Sequence, residues 1–334
     1  MAVGFTLVPA RGLLLLVLLA IAAATLAAAQ QNQSGLLVLP VTSAHPNADF
    51  KIVRRVDEVN LRFTVTDSHG HFQNQLGPQD FQVLDNHQPP EAIHFFEQQS
   101  TLPMRVGIVI DISSSVASSF KFEQKAASIF LQKVLRPDYD EAFVVTFDEK
   151  VRLLEDWTSD PKTAFNKVYA LRAGGNTALY DAVVFACDKL RDHPADVITR
   201  PVIVLITDGD DNSSKSLFYD AQQAAARADV ILFALSTNVV DSKHYPKGEA
   251  VLDLLSRSTG GRILPAHGSW QLGHAFAEIE QTLRSEYVVG YQPAHLKLDG
   301  SFRVVEILLR QANLRVRSRR GYYAPLETTI EKPF

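Results

Sequence analysis

Cysteine is almost absent from this sequence, which has one among 334 residues. A single cysteine cannot form an internal disulfide, so the folded chain must be stabilised by packing. That residue, Cys187, lies in the helical pattern YDAVVFACDKL and is predicted to be a buried core residue. A small scaffold held together by disulfides is therefore excluded.

A strong excess of charge of one sign is also lacking. The formal net charge is −4, which argues against a general nucleic-acid binder. The 46% hydrophobic and 21% charged residues are an ordinary globular composition. The length allows two domains, one of them with a substantial core, and the chain shows no internal repeat.

The amino terminus carries an apolar run that ends in small residues. GLLLLVLLAIAAATLAAAQ follows Arg11, and AAAQ occupies residues 27–30. We interpret residues 1–29 as a secretory signal peptide cleaved near Ala29, after which no membrane span remains. The alternative is an uncleaved anchor, because the run approaches the lower length limit for a span. Export without disulfides fits a secreted, periplasmic or envelope protein of a bacterium.

Short strands flank a larger central region. Residues 30–50 indicate a flexible leader, whereas residues 51–102 contain the alternating runs VNLRFTVTD, DFQVLDN and EAIHFFEQQ. Residues 286–326 contain EYVVGYQP, FRVVEILLR and LRVRSRRGYYAP. Because neither set is stable alone, we predict that both pair into one antiparallel β-sandwich, with residues 103–285 inserted between them.

The inserted region alternates continuous apolar runs with helical patterns. MRVGIVID, EAFVVTFD, RPVIVLITDG, ADVILFALS and GGRILPA must be covered on both faces, which is typical of a parallel sheet flanked by helices. The predicted fold is therefore a doubly wound, mostly parallel α/β sheet. VRLLEDWT is predicted to be an antiparallel edge strand.

Oxygen-bearing side chains follow two of these strands, at the sheet edge where ligand sites form. DISSS supplies Asp111, Ser113 and Ser115, TDGDD supplies Asp208, and the loop AGGNTALYDA supplies Thr177. Hydroxyls and carboxylates together form a set of hard oxygen ligands. Such a set suits Mg²⁺ or Mn²⁺, and Ca²⁺ less well because Ca²⁺ takes more oxygens.

This pattern resembles the metal-ion-dependent adhesion site of von Willebrand factor A domains. The resemblance implies that Ser113 and Ser115 coordinate the ion directly and that Thr177 does so directly or through water. Asp111 and Asp208 would hold waters and hydroxyls around it. The resemblance further implies a non-enzymatic adhesion protein, in which the bound ion is coordinated by an Asp or Glu carboxylate of a protein partner.

The flanking segments are similar to the exported proteins related to von Willebrand factor A that were first grouped from acidobacteria. That group has the phrase xxDFxVLxDG before the A domain and GYxP…RxGYYAP after it. Here Asn86 and His87 replace the Asp-Gly turn. This closer resemblance implies an architecture and no particular activity.

Several alternatives remain for the same residues. DISSS could be a Ser-rich turn that caps a helix over residues 116–135, or the metal could be structural only. A Mg²⁺-dependent phosphotransferase with Asp111 as nucleophile would need a second aspartate where Ser113 stands. A nucleophilic serine would be expected in a G-x-S-x-G elbow, which DISSS lacks.

Other polar residues fit structural roles. Asp210 and Asp211 precede a helical pattern and are predicted to cap it, with a negative potential around the ion as the alternative. His69, His71 and His94 have no metal-ligand spacing and are predicted to be surface residues. RVRSRRGYY could contact phosphate, but its alternation within a strand favours a solvated sheet face.

Overall fold

The structure, a computed structural model, describes residues 58–99, 102–118, 120–193, 199–238, 247–266 and 269–326. The predicted signal peptide and the whole of the predicted leader lie outside the described residues. Within the described ranges, no helix is long and apolar enough to cross a membrane.

Thirteen strands and six helices are described. The strands are β1 (Val59–Thr66), β2 (Phe81–Asp85), β3 (Ala92–Gln99), β4 (Met104–Asp111), β5 (Glu141–Phe147), β6 (Val151–Thr158), β7 (Arg200–Thr207), β8 (Ile231–Ser236), β9 (Ile263–Pro265), β10 (Glu286–Gln292), β11 (Phe302–Leu309), β12 (Arg315–Ser318) and β13 (Gly321–Tyr323). The helices are α1 (Phe120–Val134), α2 (Pro161–Tyr169), α3 (Leu179–Asp192), α4 (Phe218–Arg227), α5 (Lys247–Ser258) and α6 (Ser269–Arg284).

The larger sheet has the strand order β6-β5-β4-β7-β8-β9. Its strands run parallel except β6, which pairs antiparallel with β5 at the edge, as predicted. The interior strands bury both faces, which is why their sequences read as continuous apolar runs. Strand β4 lies between β5 and β7. The chain continues from β4 to β5 on one side of it, and the later strand β7 pairs with β4 on the other side, so the strand order changes direction at β4. The carboxyl end of β4 is thus the expected place for a ligand site.

Helices cover both faces of this sheet. One apolar cluster includes Phe130 of α1 and Phe276 of α6, and the other includes Val183 of α3 and Leu252 of α5. Cys187 is fully buried in the second cluster, as predicted. The fold class of the central region is confirmed.

The flanking strands form two antiparallel sheets, with orders β12-β1-β10-β3 and β13-β11-β2. Strands from before and after the central region pair directly: Leu61 lies opposite Val289, and Val83 lies opposite Ile307. Their apolar side chains share one core, so the predicted β-sandwich is confirmed. The domain boundaries at residues 102 and 285 stay a prediction.

The last predicted strand is wrong in one respect. Residues 314–325 form two short strands in different sheets rather than one, because β12 pairs with β1 whereas β13 pairs with β11. The break falls where Arg319 bridges to Thr259 and the Arg320 amide donates to the Ser258 carbonyl. Contact with the α/β region therefore interrupts the strand.

A buried carboxylate ties the two sheets of the sandwich together. Asp85 accepts hydrogen bonds from Arg303 Nε at 2.7 Å, Tyr291 Oη at 2.9 Å and Tyr322 Oη at 2.8 Å. Tyr291 belongs to one sheet and the other three residues belong to the second sheet. Because Arg303 is a cation, the charge of Asp85 is compensated inside the core.

Candidate metal-binding site

Asp111 is the last residue of β4 and is fully buried. Its Oδ1 accepts a hydrogen bond from the Ser113 amide at 2.8 Å, and its Oδ2 accepts one from Thr207 Oγ1 at 2.6 Å. Thr207 ends the neighbouring strand β7. The carboxylate is therefore fixed both by its own turn and by the adjacent strand.

The two serines of the motif lie together. Ser113 Oγ and Ser115 Oγ are 3.0 Å apart, with Ser113 buried and Ser115 exposed. Helix α1 begins at Phe120, so neither serine lies in its first turn. This placement disagrees with the interpretation of DISSS as a capping turn of a helix that starts at residue 116.

Backbone hydrogen bonds join this turn to the loop that carries Thr177. The Ser114 amide donates to the Gly175 carbonyl at 3.0 Å, and the Gly174 amide donates to the Ile112 carbonyl at 2.7 Å. Gly175 has φ +94°, and a Cβ added there would lie 3.1 Å from Asp148 Cβ. A glycine is therefore needed for the close approach of this loop.

Thr177 is buried and held against the loop that follows β7. Its amide donates to Asn212 Oδ1 at 2.8 Å, while its carbonyl accepts from the amides of Asn212 and Ser213, both at 3.0 Å. The role of Asn212 was not predicted, although its amide side chain in the turn TDGDDN is a polar group close in sequence to Asp208. Asn212 connects the Thr177 loop to the loop of Asp208.

Asp208 follows β7 directly. Its Oδ1 accepts from the Asp210 amide at 3.1 Å, and its carbonyl accepts from Asn238 Nδ2 at 2.6 Å. Burial raises the pKa of the Asp111 carboxyl to about 6, against the opposing hydrogen bonds from Ser113 and Thr207. The negative charge of Asp208 adds to this increase in the pKa. Asp208 is thus near enough for the two carboxylates to repel each other.

The central region is similar to a known domain family. Residues 106–210, which include all five motif positions, match the family model of the von Willebrand factor type A domain. The α/β region that contains these residues has the von Willebrand factor A fold, and we refer to it below as the A domain. No curated protein matches the sequence.

Many solved structures resemble this chain. They include BatB from Bacteroides thetaiotaomicron, at 18% identity over 54% of this chain and 97% of that chain, with a TM-score of 0.43. A von Willebrand factor type A structure from Catenulispora acidiphila has 14% identity over 75% of this chain and 74% of that chain, with a TM-score of 0.46. Proximal thread matrix protein 1 from the mussel byssus, with a zinc-occupied MIDAS motif, has 17% identity over 61% of this chain and 50% of that chain, with a TM-score of 0.45.

The donor set of the A domain fits a small divalent cation. In the described part of the chain, no three His, Cys, Asp or Glu side chains converge in a way that could hold a metal, so an ion here would depend on hydroxyl oxygens. The turn of DISSS provides two hydroxyl oxygens 3.0 Å apart. Among the described residues, no cationic side chain pairs with Asp111, although it is buried beside a second carboxylate. A bound cation would offset the free-energy cost of burying the Asp111 charge and would reduce its repulsion with Asp208.

Asp211 caps a helix of the A domain, but not the helix that was predicted. Its Oδ1 accepts from the Leu179 amide at 2.8 Å, at the start of α3, whereas the predicted helix was the following one, α4. Ser214 Oγ assists by accepting from the Tyr180 amide at 3.0 Å. The physical reason is that the N-cap residue of α3 is Ala178, whose side chain has no hydrogen-bond acceptor, so an acceptor from another loop takes this role. The cap also holds the Thr177 loop in place.

The three histidines of the sandwich lie outside the site, as predicted. His71 Nδ1 lies 3.2 Å from Asp67 Oδ2, and His94 Nδ1 lies 2.8 Å from Glu58 Oε2. All three, including His69, are exposed. They form surface pairs on the β-sandwich.

Proposed function

We propose that the A domain binds a divalent cation, Mg²⁺ or Mn²⁺, through Ser113, Ser115 and Thr177. Asp111 and Asp208 supply negative charge and orient the hydroxyls. The observation that carries this proposal is the fully buried Asp111 carboxylate, which has a hydroxyl and an amide as partners and a second carboxylate nearby. A buried charge in a stable protein is normally paired with an opposite charge or with a metal.

The protein's own groups favour magnesium or manganese over softer metals. All five candidate side chains offer oxygen, which is the ligand that these two ions prefer. Thr207 holds Asp111 at 2.6 Å, and Asn212 holds the Thr177 loop. Both are positioning residues that fix the geometry before an ion binds.

We further propose that the site captures an Asp or Glu carboxylate from a protein partner. When bound, the ion supplies an electrophilic position that an anionic oxygen completes, because three neutral hydroxyls leave much of its charge uncompensated. Ser115 lies on the exposed side of the turn and Ser113 on the buried side. An incoming side chain therefore reaches the site from the Ser115 side.

Binding is a better account of this site than catalysis. Among the described residues, Ser113 has the Ser115 hydroxyl, 3.0 Å away, and the Asp111 carboxylate as polar side-chain partners, and neither serine has a hydrogen bond to a histidine or a lysine. A nucleophilic serine needs such a base. Asp111 is buried and held by two hydrogen bonds, which suits a positioning role better than attack on a substrate.

We place the protein outside the cytoplasm, on the basis of the predicted signal peptide at residues 1–29. The single cysteine, Cys187, is buried inside the A domain. Sequencing the amino terminus of the protein recovered from the envelope or medium tests this location. A mature chain that begins near Gln30 is expected, and a chain that retains residues 1–29 in the cytoplasm would contradict it.

Titration calorimetry with Mg²⁺ and Mn²⁺ tests the metal site. We expect the wild type to bind one ion, Asp111→Ala to lose measurable binding, and the exposed control Asp192→Ala to bind as the wild type does. A pull-down from envelope extract, with and without EDTA, then tests carboxylate capture with the same variants. Metal binding without any EDTA-sensitive partner would leave a structural ion and overturn the capture proposal.

A further inference from the structure

The sandwich presents an unusually polar sheet face to the A domain. Along β1, Leu61, Phe63 and Val65 point into the sandwich core, so Arg62 and Thr64 lie on the opposite face. Thr64 is nevertheless buried. This face packs near the amino ends of β7 and β8, at the end of the parallel sheet opposite the candidate metal site.

Most carboxylates near this contact already have an arginine partner. Arg62 Nη1 lies 2.6 Å from Asp229 Oδ2, and Arg319 pairs with the other oxygen of Asp229. Arg200 Nε lies 2.7 Å from Glu286 Oε2 in the same region. Farther along, Arg262 pairs with Glu278.

Two arginines of β12 add positive charge without a carboxylate partner. Arg315 lies opposite Thr66 and Arg317 lies opposite Thr64, so both lie on the polar face of β1. No ion pair joins either arginine to a carboxylate of the described residues. Arg317 donates one hydrogen bond, from Nη1 to the Gly261 carbonyl at 3.3 Å.

The positive charges at this contact repel one another. Burial lowers the pKa of Arg262 to about 10, and the charge of Arg317 contributes to that decrease. Burial and the charge of Arg257 lower the pKa of Arg317 as well. An anion placed between these guanidinium groups would relieve the repulsion.

A cleft of about 250 Å³ opens between the same side chains. Its polar lining consists mainly of arginines and threonines: Thr64, Thr66, Arg262, Thr282, Arg315 and Arg317. Asp67 also lines the cleft, but its Oδ1 accepts the amides of His69 and His71 at 2.8 and 2.9 Å within its own turn. The volume suits a small anion or a sugar phosphate rather than a large cofactor.

We infer that this cleft binds a tetrahedral oxyanion, a phosphate or sulfate group, between Arg262, Arg315 and Arg317. Guanidinium groups match the oxygens of such an anion with paired N–H donors. The hydroxyls of Thr64 and Thr66 add hydrogen-bond donors on the sandwich side of the cleft. The total number of donors is greater than a carboxylate with two oxygens needs, which favours an anion with four oxygens. Arg315 and Arg317 of the basic run RVRSRRGYY thus line a cleft, whereas the alternation of the run predicts a solvated sheet face.

This site is separate from the candidate metal site and does not depend on it. Isothermal titration of the purified protein with sodium phosphate, in EDTA and at constant ionic strength, is the test. We expect saturable binding that weakens by roughly tenfold or more in the double variant Arg315→Gln/Arg317→Gln, because charge-assisted hydrogen bonds are lost. Two control variants should bind phosphate as the wild type does: Arg310→Gln, which changes an exposed arginine directly after β11, and Asp111→Ala.

The form of the ligand is settled by a second titration with glucose 6-phosphate. Tighter binding of the ester would show that the group is carried on a larger molecule, whereas binding of phosphate alone would show a site for the free ion. A thermal unfolding scan of the double variant verifies that it is folded. Equal binding by the double variant and the wild type, or no binding of either compound by the wild type, would overturn the inference.

Discussion

Two of the buried aspartates, Asp85 in the sandwich and Asp111 in the A domain, differ in the groups that surround their carboxylates. Asp85 in the sandwich is 1% exposed and has Arg303 at 2.7 Å, together with two tyrosine hydroxyls. Asp111 in the A domain is 0% exposed and has the Thr207 hydroxyl and the Ser113 amide. The first carboxylate has its cation built into the chain, and the second has none among the described residues.

We interpret the Asp85 carboxylate as structural, and we propose that the Asp111 carboxylate is functional. A buried ion pair with all its hydrogen bonds satisfied fixes how two sheets meet. A buried carboxylate with only neutral partners is unfavourable on its own, and a bound cation would stabilise it. Asp85 therefore has a structural role in the sandwich, whereas Asp111 belongs to the site that we propose an ion completes.

The largest loss of stability is expected when Arg303 loses its carboxylate partner, Asp85. Asp85→Ala leaves Arg303 buried without a counter-charge, which should lower the free energy of unfolding by about 3–5 kcal/mol. Urea denaturation measures this loss. The exposed Asp192→Ala is the control, and a loss below about 1 kcal/mol in Asp85→Ala would place Asp85 among ordinary surface charges.

The positioning of Asp111 is tested next. Thr207→Val removes the hydroxyl that donates to Asp111 Oδ2 and should weaken Mg²⁺ binding by about 10–100-fold. Thr207→Ser restores the hydroxyl and should recover most of the affinity in calorimetry. If the valine variant bound Mg²⁺ like the wild type, Thr207 would be a packing residue only.

Much of this comparison could be predicted from the sequence. The apolar runs predict the sheet, and the positions of DISSS and Asp208 after two strands, with Thr177 on a loop between helices, predict a shared site that stays a prediction. The hydrogen bond from Thr207 to Asp111 was missed, because it spans two strands 96 residues apart. The cap of α3 by Asp211 and the pairing of Asp85 with Arg303 were missed for the same reason. Such contacts form because residues distant in sequence come close together in the tertiary structure, and hydrophobic periodicity carries no information about these pairs.

A third prediction concerns the cost of the uncompensated charge. In EDTA near pH 8, Asp111→Asn should be as stable as the wild type, or more stable by up to about 2 kcal/mol. The pKa of Asp111 is raised from 3.8 to about 6, so between these values the native state binds more protons than the unfolded state. Wild-type stability should therefore fall as the pH rises through this interval.

Denaturation curves of both proteins near pH 4 and near pH 8 provide the measurement. The advantage of the asparagine variant should be small at the lower pH and complete at the higher pH. Saturating Mg²⁺ near pH 8 should reverse the order, because it stabilises only the wild type. A variant less stable than the wild type in EDTA at both values would show that Asp111 is structural in the way that Asp85 is.

The smallest effect is expected at the helix cap. Asp211→Ala removes the acceptor of the Leu179 amide and should cost about 1 kcal/mol of stability. The neighbouring Asp210→Ala, an exposed residue, should cost much less. Thermal unfolding of the two variants side by side makes the comparison, and equal losses would mean that the cap contributes nothing specific.

The central claim is that the A domain's buried carboxylate and the hydroxyls beside it hold a divalent cation. A crystal structure determined with Mn²⁺, using its anomalous signal, tests this most directly. We predict one strong peak bonded to the oxygens of Ser113 and Ser115, with Thr177, Asp111 and Asp208 around it, and no peak beside Asp85. An A domain without a peak at this turn under saturating Mn²⁺, or with the two serine hydroxyls directed away from each other, would contradict the account.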